Sequence, residues 1–263
     1  MHSMVEPGSQ AEEVGRLILA AFIVLALPSL PFGNFIVYPF TILTTWFHEM
    51  GHGLTAIAMG QSFDSLLIYA DGSGLAQSQV AADASPFLRA AIAAGGPLAP
   101  TLLGAGLIVA SAYQRLWRPV LWGTAIAIFA SVIIYVRSAV GTAVLPLVAV
   151  ALALIAWKAS PGINRFTLQF LGVLGAMSMF SDYRYFFTEQ VQIGGRTILS
   201  DTGQIEAALW LPHWFWAAFI LLISAGAVGA SLKYALNDKR RLNTRGKPPA
   251  NVLQFKRTSD RSK

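Results

Sequence analysis

The chain has 263 residues, of which 55% are hydrophobic and 12% charged, with a formal net charge of +6 and a mean hydropathy of +0.56. A soluble domain carries about 25% charged residues, so a soluble enzyme is excluded and a multi-spanning membrane protein is indicated. There is no cysteine, which excludes disulfides and thiolate metal ligands and leaves histidine and carboxylate to build any zinc site.

Residues 1–14 include Glu6, Glu12 and Glu13 without a basic flank, unlike a secretory signal peptide, and are read as a disordered N-terminus. A polytopic membrane domain over 15–234 follows, with about seven apolar runs expected to be transmembrane helices. The first runs from Leu17 to Leu30, where Pro28 and Pro31 end it. The others are Phe35 to Met59, Phe87 to Tyr113, Val120 to Val136, Ala139 to Trp157, Phe166 to about Met179, and about Ala207 to Tyr234, bent or broken near Pro212. Residues 235–263 read as a basic disordered tail; Lys233 to Lys263 holds ten of the nineteen Lys and Arg residues. The fold class is therefore an all-α membrane protein.

The second run contains His48-Glu49-Met50-Gly51-His52, an HExxH motif. On a helix the two imidazoles share one face, one turn apart, and can grip one metal ion. Glu49 beside them suits a general base acting on water. With four His and six Glu in the chain, chance produces this motif in roughly one such chain per thousand. Ionisable groups at membrane depth are costly and usually functional.

Two stretches do not fit a lipid-embedded helix. Leu66-Leu67-Ile68-Tyr69, then Asp71-Gly72-Ser73-Gly74 and Leu75-Ala76-Gln77-Ser78, suggest a small β-hairpin directly after the HExxH helix. Its edge offers a strand to which an unwound substrate could pair. The second stretch, Gln190 to Gln204, ends at a helix start that Ser200 or Asp201 can cap. Catalytic zinc usually takes a third protein ligand. Besides His2 and His213, the available groups are Asp182, Glu189, Asp201 and Glu206. Four crossings between the hairpin and the 188–205 loop return the chain to the same side, which favours Asp201, with Asp182 the alternative.

His48 to Gly53 within a span, the hairpin after it, Ala93-Ala94-Gly95-Gly96-Pro97-Leu98-Ala99-Pro100 in the next helix and Ser200-Asp201 before a late helix resemble the site-2-protease family of intramembrane zinc metalloproteases, in its compact bacterial branch. The resemblance implies His48, His52 and Asp201 as zinc ligands, Glu49 as catalytic base, and hydrolysis of peptide bonds in a membrane protein substrate. It also implies a bacterial inner-membrane location. The chain lacks the Asn-Pro and Leu-Asp-Gly motif and the PDZ-like insertion common in the larger family. The expected partners are a membrane protein substrate and the bilayer, with no nucleic acid. A zinc hydrolase of lipid amides or esters and a non-catalytic scaffold are the other readings. The chain has few further ionisable residues along its spans, which speaks against a metal carrier, and retention of Glu49 speaks against a scaffold.

Charge sets the expected orientation. Arg115, Arg118, Lys158, Arg165 and the ten basic residues of the carboxyl-terminal stretch fall on one side, and Arg16, Arg89, Arg137, Arg184 and Arg196 on the other. The positive-inside bias puts the richer side, tail included, in the cytoplasm. The hairpin and the Asp201 loop are then expected to face outward, whereas sites of the family are generally reached from the cytoplasm.

Overall fold

The computed structural model describes residues 10–181, 185 and 187–237. Long helices occupy each of the apolar runs: α1 (Gln10–Ala26), α2 (Gly33–Ala58), α3 (Pro86–Ser111), α4 (Gln114–Ile134), α5 (Ala139–Lys158) and α6 (Pro161–Ser181). The last run is broken at Pro212 into a short α7 (Asp201–Ala208) and a long α8 (His213–Ala235), because proline cannot continue the hydrogen-bond ladder. Helix α1 begins at Gln10, so residues 10–14 belong to it. Residues 1–9 and the tail from 238 lie outside the described residues.

Four of the helices, α3, α4, α5 and α8, are long and apolar enough to cross a membrane, against the expected seven or so. Of the other long helices, α1 is apolar but short, and α2 and α6 carry polar residues. Helix α1 is 17 residues long and opens with Glu12, Glu13 and Arg16. Helix α2 carries His48, Glu49, His52 and four threonines, and α6 carries Asn164, Arg165 and Gln169. Large apolar side chains such as Phe129, Ile133, Leu147 and Leu222 face outward, as in a protein whose solvent is lipid. The chain is an integral membrane protein.

The helices pack through small residues. A Cβ at Gly51 of α2 would collide with the Gly95 carbonyl and the Ala99 side chain of α3. One at Gly104 of α3 would lie 2.6 Å from the Gly172 carbonyl oxygen of α6. The main core joins Ile42, Leu43, Trp46 and Phe47 of α2 to Leu121 and Ile128 of α4, Leu145 of α5 and Leu168 of α6. Within it the Trp46 indole donates to Ser131 Oγ at 2.8 Å.

The hairpin after α2 forms as expected, from β1 (Ser62–Ile68) and β2 (Gly74–Gln79), paired antiparallel. Asp71 shapes its turn, accepting from the backbone N–H and hydroxyl of Ser73 at 2.9 and 2.7 Å, while Gly72 takes φ +88°. The hairpin folds back along α2: Thr45 Oγ1 donates to Gly72 O at 2.6 Å and Tyr38 OH to Ala70 O at 3.1 Å. Backbone groups among apolar helices must be paired internally. The outer edge of β1 meets this demand through the α4–α5 connection. Leu66 N–H donates to Tyr135 O, Arg137 N–H to Leu66 O, and Ile68 N–H to Ser138 Oγ, all at 2.9 Å.

The Gln190–Gln204 stretch contains a second hairpin, β3 (Gln190–Ile193) with β4 (Arg196–Leu199), unforeseen in the sequence. Gly194 and Gly195 both have positive φ, 58° and 77°, as a two-residue type I′ turn requires. Gly194 abuts the Tyr69 ring, so the two hairpins meet. Gly51→Val should force α2 and α3 apart and cost about 1–3 kcal/mol of stability, read as thermal unfolding in detergent. Gly226→Ala, where no atom lies within 4 Å of the added Cβ, should change little.

Candidate metal centre

Four residues of spacing on an unbroken stretch of α2 bring His48 and His52 together, with ring centroids 4.9 Å apart and Nε2 atoms 3.2 Å apart. His52 Nδ1 lies 2.8 Å from the carbonyl oxygen of Ile92 on α3. A carbonyl only accepts, so a neutral His52 carries its proton on Nδ1 and turns the Nε2 lone pair into the site. Gly96 makes this possible, because a Cβ there would occupy the space of the His52 ring. The paired glycines of Ala94-Gly95-Gly96-Pro97 thus have separate tasks: Gly95 admits α2, and Gly96 admits the imidazole.

Asp201 arrives from the other end of the chain, as the first residue of α7. The cap of that helix is Ser200, whose Oγ accepts from Gly203 N–H at 3.0 Å and donates to Thr188 O at 2.5 Å. Capping by Ser200 leaves the Asp201 carboxylate free to turn towards α2. Its Oδ2 lies 3.0 Å from His48 Nε2 and its Oδ1 3.1 Å from His52 Nε2, and the residue is 2% exposed.

These atoms suit a cation. Asp201 Oδ2 is buried and accepts no hydrogen bond, although His48 Nε2 is 3.0 Å away; the two stand side by side rather than donor to acceptor. One ligand atom from each of the three residues falls within a 4.8 Å group. In tetrahedral zinc centres with bonds of about 2.0–2.1 Å, ligand atoms are about 3.3 Å apart. No other cluster of three such residues forms among the described residues.

Glu49 is buried beside the imidazoles and accepts the Ala76 backbone N–H of β2. A Cβ at Gly74 would lie 2.6 Å from Glu49 Oε1, so the hairpin presses directly on this carboxylate. His48 and Glu49 line a cleft of about 320 Å³ whose walls include Thr41, Thr44 and Thr45 of α2, Pro97 and Pro100 of α3, the 71–74 turn, Tyr185 and Val191–Ile193 of β3. Hydroxyls and hairpin backbone give this cleft the polarity that water needs inside an apolar bundle. It runs from His48 back along α2 to Thr41.

All four residues singled out in the sequence, His48, Glu49, His52 and Asp201, are brought together. Glu206 is not; it takes the His213 backbone N–H and Nδ1 at 2.7 and 2.8 Å, tying α7 to α8, and these bonds hold its carboxyl below the ordinary range. Glu189 contributes its carbonyl, which accepts from Ser200 N–H. Asp182 and His2 lie outside the described residues. Sequence reasoning missed the Ile92 carbonyl, which no residue type announces, and Tyr185, whose ring stands edge-on to His48 with centroids 6.4 Å apart.

The sequence model of a family described as Peptidase M50B-like matches residues 16–231. No curated protein and no solved structure matches the chain. Gly96→Ala should displace the His52 ring and cut the metal retained after purification at least several-fold, measured as metal per chain, because a ligand moved by about 1 Å no longer binds in register.

Proposed function

The chain belongs to the peptidase M50B-like family, which makes it a membrane metallopeptidase, and on that premise we propose that it is a zinc-dependent intramembrane protease. The observation that carries the reading is the convergence of His48, His52, Asp201 and Glu49 at one polar cleft inside a membrane bundle. In this reading the two imidazoles and the Asp201 carboxylate hold zinc. Bound there, zinc supplies the Lewis acidity that makes water nucleophilic at neutral pH and polarises a carbonyl. Glu49 accepts the proton of the attacking water and returns it to the amine nitrogen as the C–N bond breaks.

The substrates are membrane-embedded or membrane-adjacent proteins. A helical substrate has its backbone amides bonded internally and must unwind before it is cut. Strand residues 191–193 and the 71–74 turn in the cleft wall support an extended polypeptide as the occupant. The location that fits is a bacterial inner membrane with the basic carboxyl-terminal side in the cytoplasm. Arg115 and Arg118 follow the carboxyl end of α3, and the charge bias puts that end in the cytoplasm. The hairpin departs from the loop that the charge bias puts outside and folds back along α2.

Purified protein should carry about one zinc per chain. His48→Ala or His52→Ala should abolish it, whereas Glu49→Gln should keep the metal and lose substrate cleavage. Asp201→Ala should weaken binding far more than Asp182→Ala. Full metal content in the double His variant overturns the reading.

Orientation has its own test, aided by the absence of native cysteine. Asp83→Cys and Gln114→Cys flank the two ends of α3. An impermeant thiol reagent on intact cells should label position 83 and not 114; the reverse pattern inverts the topology.

A further inference from the structure

We propose that Tyr185 is a positioning residue for the metal centre, holding the Asp201 carboxylate in its ligand orientation; the inference rests on the ligand set proposed above. Its hydroxyl bonds Asp201 twice, donating to the carboxylate and accepting the backbone N–H of the same residue. That N–H is one of the amides at a helix start that have no partner within the helix. One phenol therefore fixes both the backbone and the side chain of the residue that closes the site.

The geometry around Tyr185 shows why the hydroxyl is held in place. Thr188 donates its N–H and its Oγ1 to Tyr185 O, at 3.3 and 2.9 Å. Thr188 O in turn accepts from Ser200 Oγ, the cap of α7. Tyr185, Thr188, Ser200 and Asp201 are thus joined in a loop of hydrogen bonds closed by the Ser200–Asp201 peptide link, which ties Tyr185 to the first turn of α7. The aromatic ring meets the His48 imidazole edge-on, with an interplanar angle of 83°, and lines the cleft beside Glu49. The same side chain therefore touches ligands from α2 and from α7.

A carboxylate that is 2% exposed, with no lysine or arginine ion pair among the described residues, depends on such a partner for its rotamer. Partners that orient a ligating carboxylate typically contribute 10–100-fold in metal affinity. Tyr185→Phe removes the hydroxyl and keeps the ring.

The test is zinc affinity of the full-length protein in detergent, measured by chelator competition, together with the visible spectrum of the cobalt(II) form. Tyr185→Phe should bind zinc about 10–100-fold more weakly than wild type and shift the cobalt bands, while the metal-free protein melts as wild type does. Tyr38→Phe, which loses a hydroxyl bonded to Ala70 O away from Asp201, should bind zinc normally. Wild-type affinity in Tyr185→Phe, with Asp201→Ala weakened, overturns the role of Tyr185 alone. Wild-type affinity in Asp201→Ala overturns the ligand set and this inference with it. An equal loss in Tyr38→Phe marks general loosening and also overturns the inference.

Discussion

The close approach of α2 and α3 is the contact on which the site depends. Gly51 and Gly95 remove the side chains that would hold the two backbones apart, and Gly96 opens a slot for the His52 ring. Only at that separation does the Ile92 carbonyl reach His52 Nδ1. This one hydrogen bond then selects the tautomer, and with it the atom that can bind a metal. A methyl group at the crossing would therefore alter chemistry as well as packing. Here helix packing and ligand chemistry are the same event.

The hairpins answer a different demand. A bundle in lipid has no water with which to satisfy strand edges, yet this one carries β1 in its core, with Leu66 and Ile68 fully buried. The connection between α4 and α5 covers one edge of the hairpin. The other edge faces α2, where the Ala76 N–H is taken by Glu49. Glu49 is thereby oriented by the polypeptide that also shapes the cleft. The hairpin does two jobs: it carries polar backbone to the depth of the histidines, and it keeps Glu49 turned towards them.

Much of this was legible because it is local. HExxH is written in five consecutive residues, the first hairpin in an Asp-Gly and Ser-Gly turn, and the break at Pro212 in a single residue. Asp201 was reached by counting crossings and by its place at a helix start. The count of spans was less legible, because α1, α2 and α6 trade apolar residues for Arg16, the metal motif and Gln169, and length and apolarity no longer mark them as crossings. The second hairpin was visible only as a non-helical stretch, although Gly194-Gly195 is what a type I′ turn requires. Tyr185 was illegible. Its significance lies in its distance from Asp201, and no local pattern encodes that.

The site also shows how a helix start can serve two purposes without conflict. An aspartate at the beginning of a helix ordinarily spends its carboxylate on the backbone. In α7 the adjacent Ser200 takes that duty, bonding Gly203 N–H, and Tyr185 accepts the Asp201 amide. With the local donors satisfied by others, Asp201 Oδ2 is left buried without a hydrogen bond. An isolated buried acceptor costs about 1–3 kcal/mol, and here it lies 3.0 Å from His48 Nε2, with Asp201 Oδ1 3.1 Å from His52 Nε2. A cation at their meeting point would take one ligand atom from each of the three residues.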